Sequence, residues 1–131
     1  MVRLLATPLA LIATMLLASP ALAERDFRIA NTPFAQAEVL DARGTASLAG
    51  EPAVLITLAD TAHAKLQRLT AALIGQALPV SLDGRALTAP VLREAVADGM
   101  VELTGFASFE ESEAVAERIS GKPPLPDSLD E

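Results

Sequence analysis

The order of elements in this chain predicts an α+β fold: a mixed or antiparallel sheet of about five strands, with two main helices and one short helix packed on it. Three observations lead there. Residues 53–58 (AVLITL) form a continuous, partly β-branched apolar run, the pattern of a strand covered on both faces. Two segments carry apolar residues at helical spacing: Ala62, Leu66, Leu69 and Leu73, then Ser112, Val115, Ala116 and Ile119. Asp83-Gly84 sits between two alternating runs, a two-residue hairpin turn in which both positions take positive φ. Hairpins therefore dominate over strand–helix–strand crossovers, which argues against a doubly wound sheet.

Residues 1–23 read as a secretory signal peptide: Arg3 is the positive start, 9–17 (LALIATMLL) the apolar centre, and Ala21-Leu22-Ala23 a small-x-small cleavage site. The mainly apolar run 4–18 has 15 residues, against the roughly 20 that a spanning helix needs. Cleavage is therefore expected over retention as an anchor, leaving an exported chain with no transmembrane span.

Residues 24–35 mix charge with Asn31 and Pro33 and are expected to be an extended arm. The domain proper is expected over 36–121, opening with a weak strand at 37–40 and a loop at 44–50. After the strand at 53–58, Asp60 is a plausible N-cap for the first helix, and Gly75 a stop. Leu78, Val80 and Leu82 alternate into Asp83-Gly84, and 85–89 returns with Leu87 inward until Pro90, which lacks an amide hydrogen. A short helix is expected at 91–97, and a fifth strand at 100–104 with Val101 and Leu103 on one face. Ser108-Phe109-Glu110-Glu111 has the spacing of a capping box for the last helix, which Gly121 ends. The Pro-rich acidic stretch 122–131 is expected to be a mobile tail.

Composition excludes several functions. The 131 residues carry no Cys, one His, no Trp and no Tyr. Disulfides, thiolate metal sites and a Cys nucleophile are thereby excluded, and one His cannot supply a His-rich zinc site. A formal charge of −7 with 3% aromatic residues argues against nucleic acid. Charge is uneven: residues 24–93 hold seven basic and seven acidic groups, while 94–131 hold two basic and ten acidic.

Candidate chemistry is sparse. His63 has no HxxxH or HxxE partner and reads as a surface or flanking residue. Glu110, Glu111, Glu113 and Glu117 cluster on the last helix, where acids near the start favour the positive dipole end. A solvated acidic face is expected, with docking of a basic partner as the sharper alternative. Ser47, Ser81, Ser108 and Ser112 lack an associated base and a GxSxG motif. Turn geometry accounts for Asp83-Gly84. Phe106 and Phe109 are expected to make a staple-like core contact rather than an exposed peptide-binding pair. No catalytic, cofactor-binding or metal-ligating residue is expected, and no cofactor.

A series of short motifs runs in order: Thr70 near the end of the first helix, Leu82-Asp83-Gly84, Leu87-Thr88-Ala89-Pro90-Val91, Gly99, Leu103-Thr104-Gly105, and Ser108 to Glu111. In that order and spacing, over roughly residues 38–126, the chain resembles the SecD family of export proteins, and within it the head subdomain of the first periplasmic domain. Ser112 departs from the Ala usual there, and Lys122-Pro123-Pro124-Leu125-Pro126 stretches the usual Gly-x-Leu-Pro. The resemblance implies a head-like α+β domain, and a non-enzymatic interaction module that assists Sec-dependent translocation by contacting polypeptide or translocon components. It also implies that proton-coupled work belongs to membrane helices outside this sequence. The alternative is a stand-alone periplasmic protein that binds a peptide or small ligand and is unrelated to export.

Overall fold

The structure, a computed structural model, describes residues 24–125. The expected signal peptide and residues 126–131 of the expected tail lie outside them. Among the described residues, seven strands form two antiparallel sheets. The first has the order β2-β1-β5-β6, built from β1 (Phe27–Ile29), β2 (Thr32–Pro33), β5 (Val80–Leu82) and β6 (Arg85–Leu87). The second has the order β3-β4-β7, built from β3 (Val39–Ala46), β4 (Pro52–Leu58) and β7 (Met100–Leu103). Two α-helices, α1 (His63–Ala71) and α2 (Phe109–Ser120), complete the domain. The architecture is α+β, as expected, and of the two pairings left open, mixed or antiparallel, the strands take the antiparallel one throughout. Its strands are more numerous than the five read from sequence, and they are split between sheets.

The additional strands come from 24–35. This segment is extended, but it is packed rather than free. Phe27 and Ile29 are buried while Arg28 between them is exposed, so a short period-two alternation faces the core. A two-residue turn at Ala30 and Asn31, both with positive φ, returns the chain to pair Ile29 with Thr32. Asn tolerates that conformation and Ala does not favour it, so the turn carries no usual signature. β1 then pairs along its other edge with β5, in the register Phe27↔Leu82 and Ile29↔Val80.

The strand expected at 37–40 begins only at Val39, after a 3-10 turn at Gln36–Glu38. It then continues through Gly44, inside the expected loop, to Ala46. β4 is the central strand of its sheet. Val54, Ile56 and Leu58 point into the core, and Leu55 and Thr57 are half-buried on the other face. Gly44 lies opposite Val54. A Cβ there would stand 2.7 Å from Glu113 Cγ and 2.9 Å from Ser112 Oγ. α2 thus rests directly on the β3 backbone, and the small Ser112 at the contact is fully buried.

The hairpin at 80–87 has the expected turn, with φ of 51° at Asp83 and 87° at Gly84, and the register Val80↔Leu87. The short helix expected at 91–97 does not form. Val91 pairs with Ala77, Leu92 exchanges backbone bonds with Gln76 and Gly75, and the Val96 amide donates to Thr70 Oγ1 at 2.8 Å. Tertiary partners satisfy these groups, so no helical ladder is needed. Asp60 is not an N-cap either. It opens a 3-10 turn, its side chain is fully exposed, and α1 begins without a side-chain cap.

Both sheets and both helices share one apolar core. It includes Phe27, Phe34, Ile56, Leu66, Leu103 and Ile119, all buried. The sheets meet at a single bridge, Thr88↔Thr104, where the Thr104 amide donates to the Thr88 carbonyl at 2.9 Å.

Candidate functional site

The motif series converges on joints in the fold. Thr70 is fully buried. Its hydroxyl donates to the Leu66 carbonyl at 2.8 Å and accepts from Val96, which pins 91–98 against α1. Thr88 and Thr104 form the bridge between sheets, and Gly105, with φ of 85°, lets the chain pass Thr88 Oγ1. Gly99 (φ 73°) lies against the His63 ring, where a Cβ would overlap the imidazole. His63 Nε2 is 3.1 Å from the Leu58 carbonyl, so this histidine locks the end of β4 to α1.

Asp83 does more than its turn demands. Its Oδ1 accepts from the Asp26 amide at 2.9 Å and its Oδ2 from Arg118 Nε at 2.8 Å, tying the hairpin to the chain entry and to α2. The Arg118 hydrogen bond, followed by the Asp26 amide, holds the Asp83 carboxyl below its ordinary range, and Asp83 in turn raises the Arg118 pKa.

The acidic helix divides into two sets. Glu111 closes a variant of the capping box. The Ser108 hydroxyl accepts from the Glu111 amide at 3.0 Å, as expected, but the Glu111 carboxylate reaches the Ala107 amide at 2.7 Å, one residue before the cap. Its other oxygen accepts from Arg85 at 2.9 Å. The Ala107 bond first, and then Arg85, hold its pKa below the usual value. Glu110, Glu113 and Glu117 form an exposed stripe on the same helix. Glu113 and Glu117 line an open cavity of about 310 Å³ with Gly44 and Pro124. A second cavity, about 390 Å³, runs beside Met100 and the 94–98 loop.

The remaining candidates do not assemble into a reaction centre. Ser47 is a turn residue whose hydroxyl accepts from the Ala49 and Glu51 amides. Ser81 lies within β5, and Ser112 donates to the Phe109 carbonyl. Phe106 is buried in the core, whereas Phe109 is 47% exposed and lies outside it, so the two do not form an exposed pair. Among the described residues, no group of three or more His, Asp or Glu side chains could hold a metal ion. Nor is any helix among them long and apolar enough to cross a membrane.

Two features escaped the sequence reading. The first is Arg25, in the extended segment 24–35. Its guanidinium is buried, and Nε donates to the Ile119 carbonyl at 2.7 Å and Nη1 to the Phe34 carbonyl at 2.9 Å. Burial lowers its pKa, and Glu24 acts in the opposite direction. The second is the start of the tail. The Leu125 amide donates to Asp41 Oδ1 at 2.8 Å and Arg43 Nη2 donates to the Leu125 carbonyl at 2.7 Å, so 122–125 is strapped beside β3. Charged residues spaced 82 to 94 positions from their partners leave no local pattern to find.

These features define a small α+β module whose recurring motifs are structural joints, with an acidic helix exposed along one side. The chain belongs to the SecDF P1 head subdomain family, whose model matches residues 15–121. It is 36% identical over 91 residues to the protein translocase subunit SecDF of Thermus thermophilus, covering 69% of this chain and 12% of that protein. It is 30% identical over 86 residues to the translocase subunit SecD of Acidaminococcus fermentans, covering 66% of this chain and 21% of the relative. Among solved structures, it is similar to that of SecDF, a membrane component that enhances protein export, with a TM-score of 0.62 and 34% identity over 72% of this chain and 43% of that one. SecDF in a super-membrane-facing form gives a TM-score of 0.61, also at 34% identity, over 72% of this chain and 13% of that one. The chain therefore spans between about an eighth and a fifth of the length of these curated relatives.

Proposed function

We propose that this protein is an accessory of Sec-dependent protein export that works outside the cytoplasm as a non-enzymatic interaction module, contacting exported polypeptide or a translocon component. The observation supporting this reading is the family match across 15–121 at about one-third identity to export proteins. The module supplies a contact surface. Residues 1–23 act as an export signal that is removed after Ala23. The cavity between α2 and β3 is bordered by Glu113 and Glu117 together with Gly44 and Pro124, so two acidic side chains stand at the groove beside the last helix.

Photo-crosslinkers placed singly at Leu48, Phe109 and Glu113, all exposed, test the reading in cells with arrested export. Recovery of translocon subunits or of chains in transit from at least one position is expected. Crosslinks confined to a soluble ligand, or none above background at all three, would overturn it. N-terminal sequencing of the fractionated protein should begin at Glu24.

A further inference from the structure

The outer face of the first sheet carries a hollow of about 200 Å³, whose lining includes Arg28, Asn31, Pro79, Ser81 and Ala86. Its floor follows from strand register. Arg28 pairs with Ser81, and Ser81 with Ala86, so one row of side chains crosses β1, β5 and β6 on the face turned from the core. The next row, Ile29, Val80 and Leu87, is buried on the opposite face. One long arginine followed by two small residues leaves open space beside the guanidinium. The turn at Ala30 and Asn31 is held against the start of β5 by the Ala30 amide, which donates to the Pro79 carbonyl at 2.7 Å.

The donors around this hollow are unused. Arg28 Nε donates to Asp26 Oδ1 at 2.9 Å, which orients the guanidinium and leaves its two terminal nitrogens. Among the described residues, these nitrogens, the Asn31 side chain and the Ser81 hydroxyl make no hydrogen bond to the protein. The other two cavities carry acids on their walls, Glu94 and Asp98 in one and Glu113 and Glu117 in the other. In a chain of net charge −7, this is the one of the three that presents a cation. A carboxylate suits such a set of donors. It is planar, and the free edge of a guanidinium matches its two oxygens. A hydroxyl and an amide can donate to the lone pairs that remain. Asp26 already holds part of the Arg28 charge, so a singly charged group is favoured there over a doubly charged phosphate.

We propose that Arg28, Asn31 and Ser81 form a binding site for a carboxylate group, carried by an acidic side chain of a polypeptide or by a small free acid. The inference goes beyond the proposed role in export and does not depend on it. Titration of the isotope-labelled protein, followed by NMR at about pH 7, where carboxylic acids are ionised, tests it. The probes are acetate, an Ala-Ala-Glu-Ala-Ala peptide blocked at both ends, and inorganic phosphate, with chloride holding the ionic strength constant. Saturable shifts at the Arg28 side chain and the Ser81 and Ala86 amides are expected with acetate or the peptide. Arg28→Gln should weaken that binding by about tenfold or more, the scale of a charge-assisted hydrogen bond, and Ser81→Ala by about threefold. Arg28→Lys, which keeps the charge but loses the two-pronged geometry, should fall between the native protein and Arg28→Gln. Tighter binding of the peptide than of acetate would assign the site to polypeptide, and equal or tighter binding of acetate to a small free acid. Shifts that never saturate, phosphate binding more tightly than either carboxylate, or undiminished binding by Arg28→Gln would each overturn the proposal.

Discussion

The two helices of this domain solve the problem of their own ends in opposite ways. α2 carries its limits in its sequence. Ser108 caps it, Glu111 reaches back from the first turn, and Gly121 (φ 78°) closes it in the left-handed conformation. α1 carries almost none. It emerges from a 3-10 turn with no side-chain cap, and it stops at Ala71, four residues before the glycine that would be its natural end. What holds α1 is contact: Leu66 in the core, Thr70 to the 91–98 loop, His63 against Gly99, and Lys65, which reaches Glu38 at 3.1 Å and the face of Phe34. A helix of nine residues has little stability of its own, so packing sets where α1 begins and ends. α2 is defined locally and then seated.

Substitutions that separate packing from capping sharpen this contrast. The largest loss is expected for Leu66→Ala, which opens a cavity under α1. It should cost about 3 kcal/mol in urea or thermal unfolding, and a cost under about 1 kcal/mol would mean that α1 is less dependent on packing than argued. Gly44→Val tests the seat of α2. Glu113 Cγ can swing away from the new side chain, whereas Ser112 and the helix backbone cannot, so overpacking should cost about 2 kcal/mol. Thr70→Val keeps the volume but removes the acceptor of the Val96 amide. It should cost about 1–2 kcal/mol and speed amide exchange at Val96 far more than within α2. Ser108→Ala removes only the cap and should cost about 1 kcal/mol, with faster exchange confined to the first turn of α2.

The smallest effect is a pH dependence on the α2 side. The folded pKa values of Asp83 and Glu111 lie below their ordinary values of 3.8 and 4.5. In acid, the unfolded chain therefore binds these protons before the folded chain does. The stabilisation is complete above about pH 4.5 and falls as pH drops through the folded values. Asp83 is exposed and Glu111 half-buried near the surface, so the slope is shallow and screened by salt. Asp83→Asn and Glu111→Gln should each flatten the urea midpoint between pH 5 and 3 (roughly the carboxylate range). An unchanged slope in both would show that these ion pairs do not couple α2 to the hairpin.

Local chemistry was legible wherever the element contained its own reason. The Asp83-Gly84 turn needs positive φ, the β4 run is β-branched and apolar, and Ser108 and Gly121 bracket a helical repeat. The motif series could be ordered along the chain, but its meaning was hidden. That Thr88 meets Thr104 and that Gly99 lies under His63 depends on strands brought together across the core. The missing strand at Phe27–Ile29 shows the same limit. Two buried residues either side of Arg28 make too short a pattern to recognise, and only the open edge of β5 makes it a strand.

From sequence alone, then, came the α+β class, the hairpin, the capped last helix and the family resemblance, because each rests on backbone preferences of nearby residues. Tertiary structure alone decided the division into two sheets, the burial of Arg25, the irregular path of 91–98 and the strap at Asp41 and Arg43. Those depend on which distant backbone groups lack a partner, and a buried amide or carbonyl takes whatever donor or acceptor the folded chain places beside it.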